Sequence, residues 1–230
     1  MSTGGAVHNG AGGGAGAGTS TVEEIASGSV RPSRETVVAA VDLLSHFWSR
    51  PVAAEVEIWS EAGDLTAELH RLLSSASVVE AVKAPRSLEE ALELLDEYER
   101  LFVGPGQVPC PPYESFWRED VPVDIRRTLL GPCTAELKEL YLELSLQVSS
   151  QSGELPGHVA IELEAIGYAL AFEETGTVAK RLFDEHLSRF LPRLCRAVSH
   201  DAESPFYRDL AALTLNWLPA IKAFFAADSD

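Results

Sequence analysis

The chain has 230 residues, of which 46% are apolar, and 18 Lys and Arg stand against 35 Asp and Glu for a formal charge of −17. That apolar share excludes disorder of the whole chain and suffices for one helical domain of ordinary size, or at most two small ones. The acidic balance disfavours nucleic acid and anionic lipid as partners and favours a basic peptide.

Cys110, Cys133 and Cys195 are widely spaced and form no Cys-x-x-Cys pair, so free thiols in a reducing compartment are expected rather than disulfides or metal ligands. No apolar run approaches membrane-spanning length, and the N-terminus lacks the charged, apolar and cleavable regions of a secretion signal. A cytoplasmic chain without stable membrane insertion is therefore expected.

Residues 1–30 open with a run of Gly, Ala, Ser and Thr, a composition that predicts a flexible tail, with partial helix over 22–31. An all-helical domain is expected over 34–228. Val37, Val41, Leu44 and Trp48 trace one buried stripe, ended by Pro51. Residues 52–59 read as a short helix, and Gly63-Asp64 as the start of another with Leu65, Leu69 and Leu72 inward. Ser87 has the place of an N-cap, with Glu90 at the capping-box position of a helix reaching Phe102. Ala91, Leu95, Tyr98 and Phe102 form its apolar face, and Glu89, Glu93, Asp96, Glu97 and Glu99 its solvated side.

Gly104, Pro105 and Gly106 stop that helix, and Pro109, Pro111 and Pro112 hold the following chain extended. Tyr113, Phe116 and Trp117 follow within five residues, an aromatic surface that needs something packed on it. Core packing is expected for Phe102, Phe116 and Trp117, while Tyr113 is the ring a ligand would reach. Residues 121–132 read as irregular. Thr134 is expected to cap a helix carrying Leu137, Leu140, Tyr141, Leu144 and Val148, and 149–155 to form a polar loop. Pro156 is expected in the first turn of the next helix, with Val159, Leu163, Ile166 and Leu170 inward. A helix over 178–198 should bend at Pro192, and Ser204 should cap the last, with Leu210, Leu213, Trp217 and Phe224 inward. No alternating strand pattern appears. The fold expected is all-α, a single globule of eight or nine helices.

His158 and Glu162 are four apart, so a helix places both on one edge. From the residues alone, three readings stay open: a structural pair at the surface, acid–base chemistry, or a metal site recruiting His186. The chain carries no Gly-x-x-x-x-Gly-Lys-Ser/Thr loop and no Gly-x-Gly-x-x-Gly.

Two segments carry a resemblance. Tyr98-x-x-Leu101-Phe102-Val103-Gly104-Pro105 with Pro111-Pro112-Tyr113-Glu114-Ser115 is similar to the signature of the TorD/DmsD/NarJ family of molybdoenzyme maturation chaperones. Pro156-Gly157-His158-Val159-Ala160-Ile161-Glu162-Leu163-Glu164 resembles the family's second motif, with Gly157 where an aspartate is usual. His186-Leu187 and Pro205-Phe206-Tyr207 are weaker likenesses. The resemblance implies an all-helical, non-enzymatic cytoplasmic chaperone. Its partner would be the catalytic subunit of a molybdopterin oxidoreductase and that subunit's twin-arginine leader. It also implies a peptide groove built from Leu101, Phe102, Pro112, Tyr113, Glu114, Ser115, Pro156, Gly157, His158 and Glu162. With Gly157 in the aspartate's place, Glu154, Glu162 and Glu164 are the candidates to meet a peptide arginine. No stably bound cofactor is implied, only transient contact with molybdenum cofactor or a guanine nucleotide. The alternatives are a NarJ-like assembly factor for a membrane-bound cytoplasmic reductase, a helical adaptor, and a small helical hydrolase using a metal at His158, Glu162 and His186.

Overall fold

The architecture follows from where the apolar stripes fall. The structure, a computed structural model, describes residues 32–73, 82–122, 124–125, 128–149 and 153–227. The tail expected over 1–30, the partial helix over 22–31 and residue 228 lie outside the described residues. Among the described residues there are eight α-helical segments and no strand. They are α1 (Arg34–Trp48), α2 (Val56–Leu73), α3 (Leu88–Tyr98), α4 (Pro132–Glu143), α5 (Val159–Leu170), α6 (Gly176–Arg181), α7 (Ser188–Asp201) and α8 (Pro205–Ala227). A π-helical turn, Glu99–Val103, extends α3, and another, Leu182–Leu187, joins α6 to α7 into one rod.

Helices α1 and α5 pack against each other and run antiparallel, since Arg34 Nη1 donates to Leu170 O and Ser45 Oγ to Ala160 O. The stripes expected on both are buried: Val37, Val41, Leu44 and Trp48 on one, Val159, Leu163, Ile166 and Leu170 on the other. Helix α8 closes the core beside α1 and α7, with Trp48 Nε1 donating to Thr214 Oγ1 at 3.1 Å. By length and composition α8 could cross a bilayer, so the expectation that no run reaches that length does not hold for it. Its Leu210, Leu213, Trp217, Ile221 and Phe224 are instead buried in the core.

Several local expectations are corrected. The short helix expected over 52–59 and the helix expected to start at Gly63-Asp64 are continuous in α2, which follows a 3₁₀ turn, Ala53–Glu55. Gly63 lies inside it, and a Cβ there would stand 2.7 Å from Ala84 Cβ; the glycine serves a close approach, not a helix start. With the break removed the phase shifts, so Trp59, Ala62, Thr66, Leu69 and Leu73 face inward while Leu65 and Leu72 are exposed. Helix α4 begins at Pro132 after Gly131, and Thr134 is not its cap: Thr134 Oγ1 donates back to Leu129 O. Pro192 sits within α7, while the departure from α-geometry is the π-helical turn upstream.

Glu97, expected on the solvated side of α3, is buried. Its carboxylate accepts from Arg100 Nε and Nη2 and from the backbone N–H groups of Glu203 and Ser204, at 2.6 to 3.0 Å. It thereby satisfies the donors ahead of α8 and ties that helix to α3. Glu97→Ala should lower unfolding free energy by about 2–4 kcal/mol through unpaired buried donors, whereas exposed Glu93→Ala should change it by less than about 0.5 kcal/mol. Urea titration of the two variants checks this.

Candidate functional site

The two motifs meet in a short antiparallel bridge. Gly104, at φ 107, ends the π-helical turn, and its N–H donates to Glu99 O at 2.8 Å. Cys110 N–H then donates to Leu101 O at 2.9 Å, folding the proline-rich chain back along the end of α3. Glu114 N–H donates to Gly157 O and Val159 N–H to Pro112 O, each at 2.9 Å, so Tyr113 and His158 face each other across the bridge. Their rings pack edge to face with centroids 5.3 Å apart.

The bridge explains why Pro156 does not open α5. Residues Gly157 and His158 are needed as extended chain for the pairing, so the helix starts at Val159 and His158 becomes its N-cap. Pro156 sits in the preceding turn, where its carbonyl accepts from Tyr141 Oη at 2.8 Å. His158 Nδ1 accepts from Ala160 N–H at 3.2 Å, which places the neutral ring's proton on Nε2, 3.3 Å from Tyr98 Oη. Burial holds the imidazole down at about 4, against a weaker upward pull from Glu154. His158 is therefore neutral near pH 7. The surface pair with Glu162 is replaced by two buried residues.

Behind the bridge lies a charged cluster. The chain after Tyr113 makes a 3₁₀ turn, Glu114–Phe116, which brings Arg118 back onto Glu114. Glu114 is 1% exposed, and His186 Nδ1 stands 3.1 Å from it. Arg118 Nη1 also donates to Glu185 O at 3.1 Å, and its Nε and Nη2 donate to Asp120 at 2.6 Å. The aromatic loop is thus anchored to the π-helical turn ahead of α7. Glu162 is fully buried, and among the described residues neither of its carboxyl oxygens has a hydrogen-bond partner. Burial first, and then the Glu114 charge, raise its pKa well above the usual range against a weaker downward pull from Arg118, so the charged form is disfavoured there.

In front of the bridge opens a cleft of about 630 Å³, walled by Tyr98, Phe102, Pro111, Pro112, Tyr113, Phe116, Trp117, Leu129, Glu154 and His158 among others. Of the expected site residues, Phe102, Pro112, Tyr113 and His158 line it. Leu101, Glu114, Ser115, Pro156, Gly157 and Glu162 are buried behind it and support the wall rather than face the opening. Glu114 and Glu162 are withdrawn from solvent, Glu114 onto Arg118 and His186 and Glu162 where burial disfavours its charge. Phe116 and Trp117, assigned to the core, are half-buried in the cleft wall, with Trp117 Nε1 donating to Pro111 O at 2.7 Å. Tyr113 Oη donates to Glu154 Oε2 at 2.7 Å.

The residues of the hydrolase alternative are not brought round one ion. His158 has both ring nitrogens engaged and His186 is committed to Glu114. Among the described residues no group of three or more His, Cys, Asp or Glu side chains is placed to hold a metal. A larger hollow of about 1300 Å³, walled partly by Gly63, Arg86, Glu93, Glu97 and Phe206, contains none of the expected site residues.

The sequence profile described as nitrate reductase delta subunit matches residues 60–196, which include both motifs and the bridge between them. The chain belongs to that family. It is 31% identical over 121 residues to the Tat proofreading chaperone DmsD of Salmonella typhi, covering 51% of this chain and 56% of that one. It is 28% identical over 160 residues to the DmsD of Salmonella paratyphi A, covering 68% and 71%. The chain thus spans little more than half the length of the first of these relatives. A solved structure described as a redox enzyme maturation protein from Archaeoglobus fulgidus matches 84% of this chain and 94% of its own, at 20% identity and a TM-score of 0.47.

Sequence reasoning passed over Arg118. Its signal was present, a cation four residues after Glu114, between Trp117 and the acidic pair Glu119-Asp120.

His158 is depressed from 6.5 in the unfolded chain to about 4 in the fold, so the unfolded state binds the proton first as pH falls. The stabilisation is complete above about pH 6.5 and is lost as pH drops towards 4, amounting to about 3 kcal/mol. His158→Asn keeps a capping acceptor without the titration, and should flatten the stability-versus-pH curve across that window. Denaturant midpoints measured through the range check this.

Proposed function

We propose that this chain is a dedicated maturation chaperone. In the cytoplasm, it would hold the twin-arginine leader of a molybdopterin oxidoreductase catalytic subunit in the cleft until folding and cofactor insertion are complete. The single observation that carries this reading is the cleft itself: the two family motifs join by the bridge and leave an aromatic-walled opening in an acidic body. A leader offers arginines and an apolar stretch. The acidic charge attracts the first, and the rings and prolines bury the second. The relatives named as Tat proofreading chaperones point the same way. Such binding stays moderate, because the client must later leave for the export machinery.

The family's description as nitrate reductase delta subunit favours one second reading: assembly of a reductase that stays in the cytoplasm, bound through its unfinished body rather than a leader.

Capture of the tagged chain from its native host, with mass spectrometry of bound proteins, tests both. A molybdopterin oxidoreductase subunit should be recovered, and Tyr113→Ala should reduce its yield about tenfold while helix content is unchanged. Loss of capture on deleting the client's leader supports the leader reading; capture that survives the deletion supports the second. A folded chain that recovers no such subunit sinks both. Tyr113 is the cleaner probe than His158, whose removal also takes away a buried cap.

A further inference from the structure

We infer that Glu154 is the group that reads a guanidinium in the cleft, standing in for the carboxylate that Gly157 lacks. The inference rests on the leader reading above and deepens it. Three carboxylates compete for this role in the sequence, and the structure separates them. Glu162 is fully buried, so a cation in the cleft has no access to it. Glu164 is exposed on α5 and lies outside the wall of the cleft. Glu154 lines the cleft and keeps 26% of its side chain exposed, and it is the one acidic residue among the described residues of that wall.

Its surroundings suit a planar cation. Tyr113 Oη donates to Glu154 Oε2 at 2.7 Å, fixing the carboxylate beside the tyrosine ring. His158 Nε2 stands 3.8 Å away and is neutral, so it does not compete as a counter-charge. Tyr113, Phe116 and Trp117 give the same cleft aromatic faces. A carboxylate among aromatic rings favours arginine over lysine, because a guanidinium stacks on a ring and pairs with a carboxylate at once, while an ammonium stays more strongly hydrated. Gly157 does not exclude a side chain by crowding: a Cβ there would meet Leu137 Cδ1 at 3.6 Å and Glu114 Cβ at 3.8 Å, ordinary contacts. What its position lacks is access. It is buried beside Glu114, behind the wall that Glu154 faces.

The test is a binding cycle with synthetic peptides that carry Arg-Arg, Lys-Lys or Gln-Gln ahead of the same apolar stretch. Affinities for the full-length chain and for Glu154→Gln are measured at two salt concentrations, with circular dichroism to confirm the fold. The Arg-Arg peptide should bind the unaltered chain best. Glu154→Gln should weaken it about tenfold, leave the Gln-Gln peptide unchanged, and shrink the salt dependence. Equal loss for Arg-Arg and Gln-Gln peptides would mean that Glu154 only props Tyr113, and would overturn the inference. So would unchanged affinity for Arg-Arg in Glu154→Gln. If the unaltered chain binds none of the peptides, the leader reading falls and takes this inference with it.

Discussion

Two backbone hydrogen bonds, between Pro112–Glu114 and Gly157–Val159, are the constraint on which the rest of the site depends. They join segments more than forty residues apart, in a chain whose described residues contain helices and no strand. They set where α5 begins, turn His158 into its cap, and bring Tyr113 over the mouth of the cleft. Two such bonds contribute only about 1–3 kcal/mol net, too little to hold an aromatic loop by themselves. The holding comes from behind, where Arg118 binds Glu114, Asp120 and the carbonyl of Glu185, and His186 binds Glu114. A buried ion pair adds little to stability against an apolar alternative but makes misplacement costly, since either partner left alone is an uncompensated charge. The cluster therefore acts on position, which a wall that held a peptide, as proposed, would require.

This division puts the polar residues of the motifs to different uses. Glu114 and Glu162 lie inside, one paired with Arg118, the other without a hydrogen-bond partner among the described residues. Tyr113 and Glu154 stay at the opening. The aromatic set behind them continues into the core through Tyr98, Phe102 and Tyr207, with Phe102 and Tyr207 centroids 5.3 Å apart. The wall of the cleft is thus the outer face of the hydrophobic core, rigid because the core is.

Helical stripes were readable from spacing: those of α1, α5 and α8 fall where Val37, Val159 and Leu210 and their periodic neighbours predict. Errors came where a residue had two physical uses. Gly63 reads as a helix start and serves a close approach to Ala84. Glu97 reads as one of a solvated run and is recruited by donors at 203 and 204, which no local pattern reveals. Pro156 reads as a first-turn proline, but the bridge delays the helix. The cleft was legible as two motifs, and its lining only partly. Which carboxylate faces the opening depends on burial, and burial of Glu162 against exposure of Glu154 is a property of the packed helices.

The most direct test of the account is hydrogen–deuterium exchange on the full chain with and without the leader peptide of its captured client. Protection should concentrate over residues 107–118 and 153–160, the two sides of the bridge and cleft. Protection confined to another face, such as the exposed side of α2, with no change at those segments, would contradict the claim that the two motifs join to form the binding cleft.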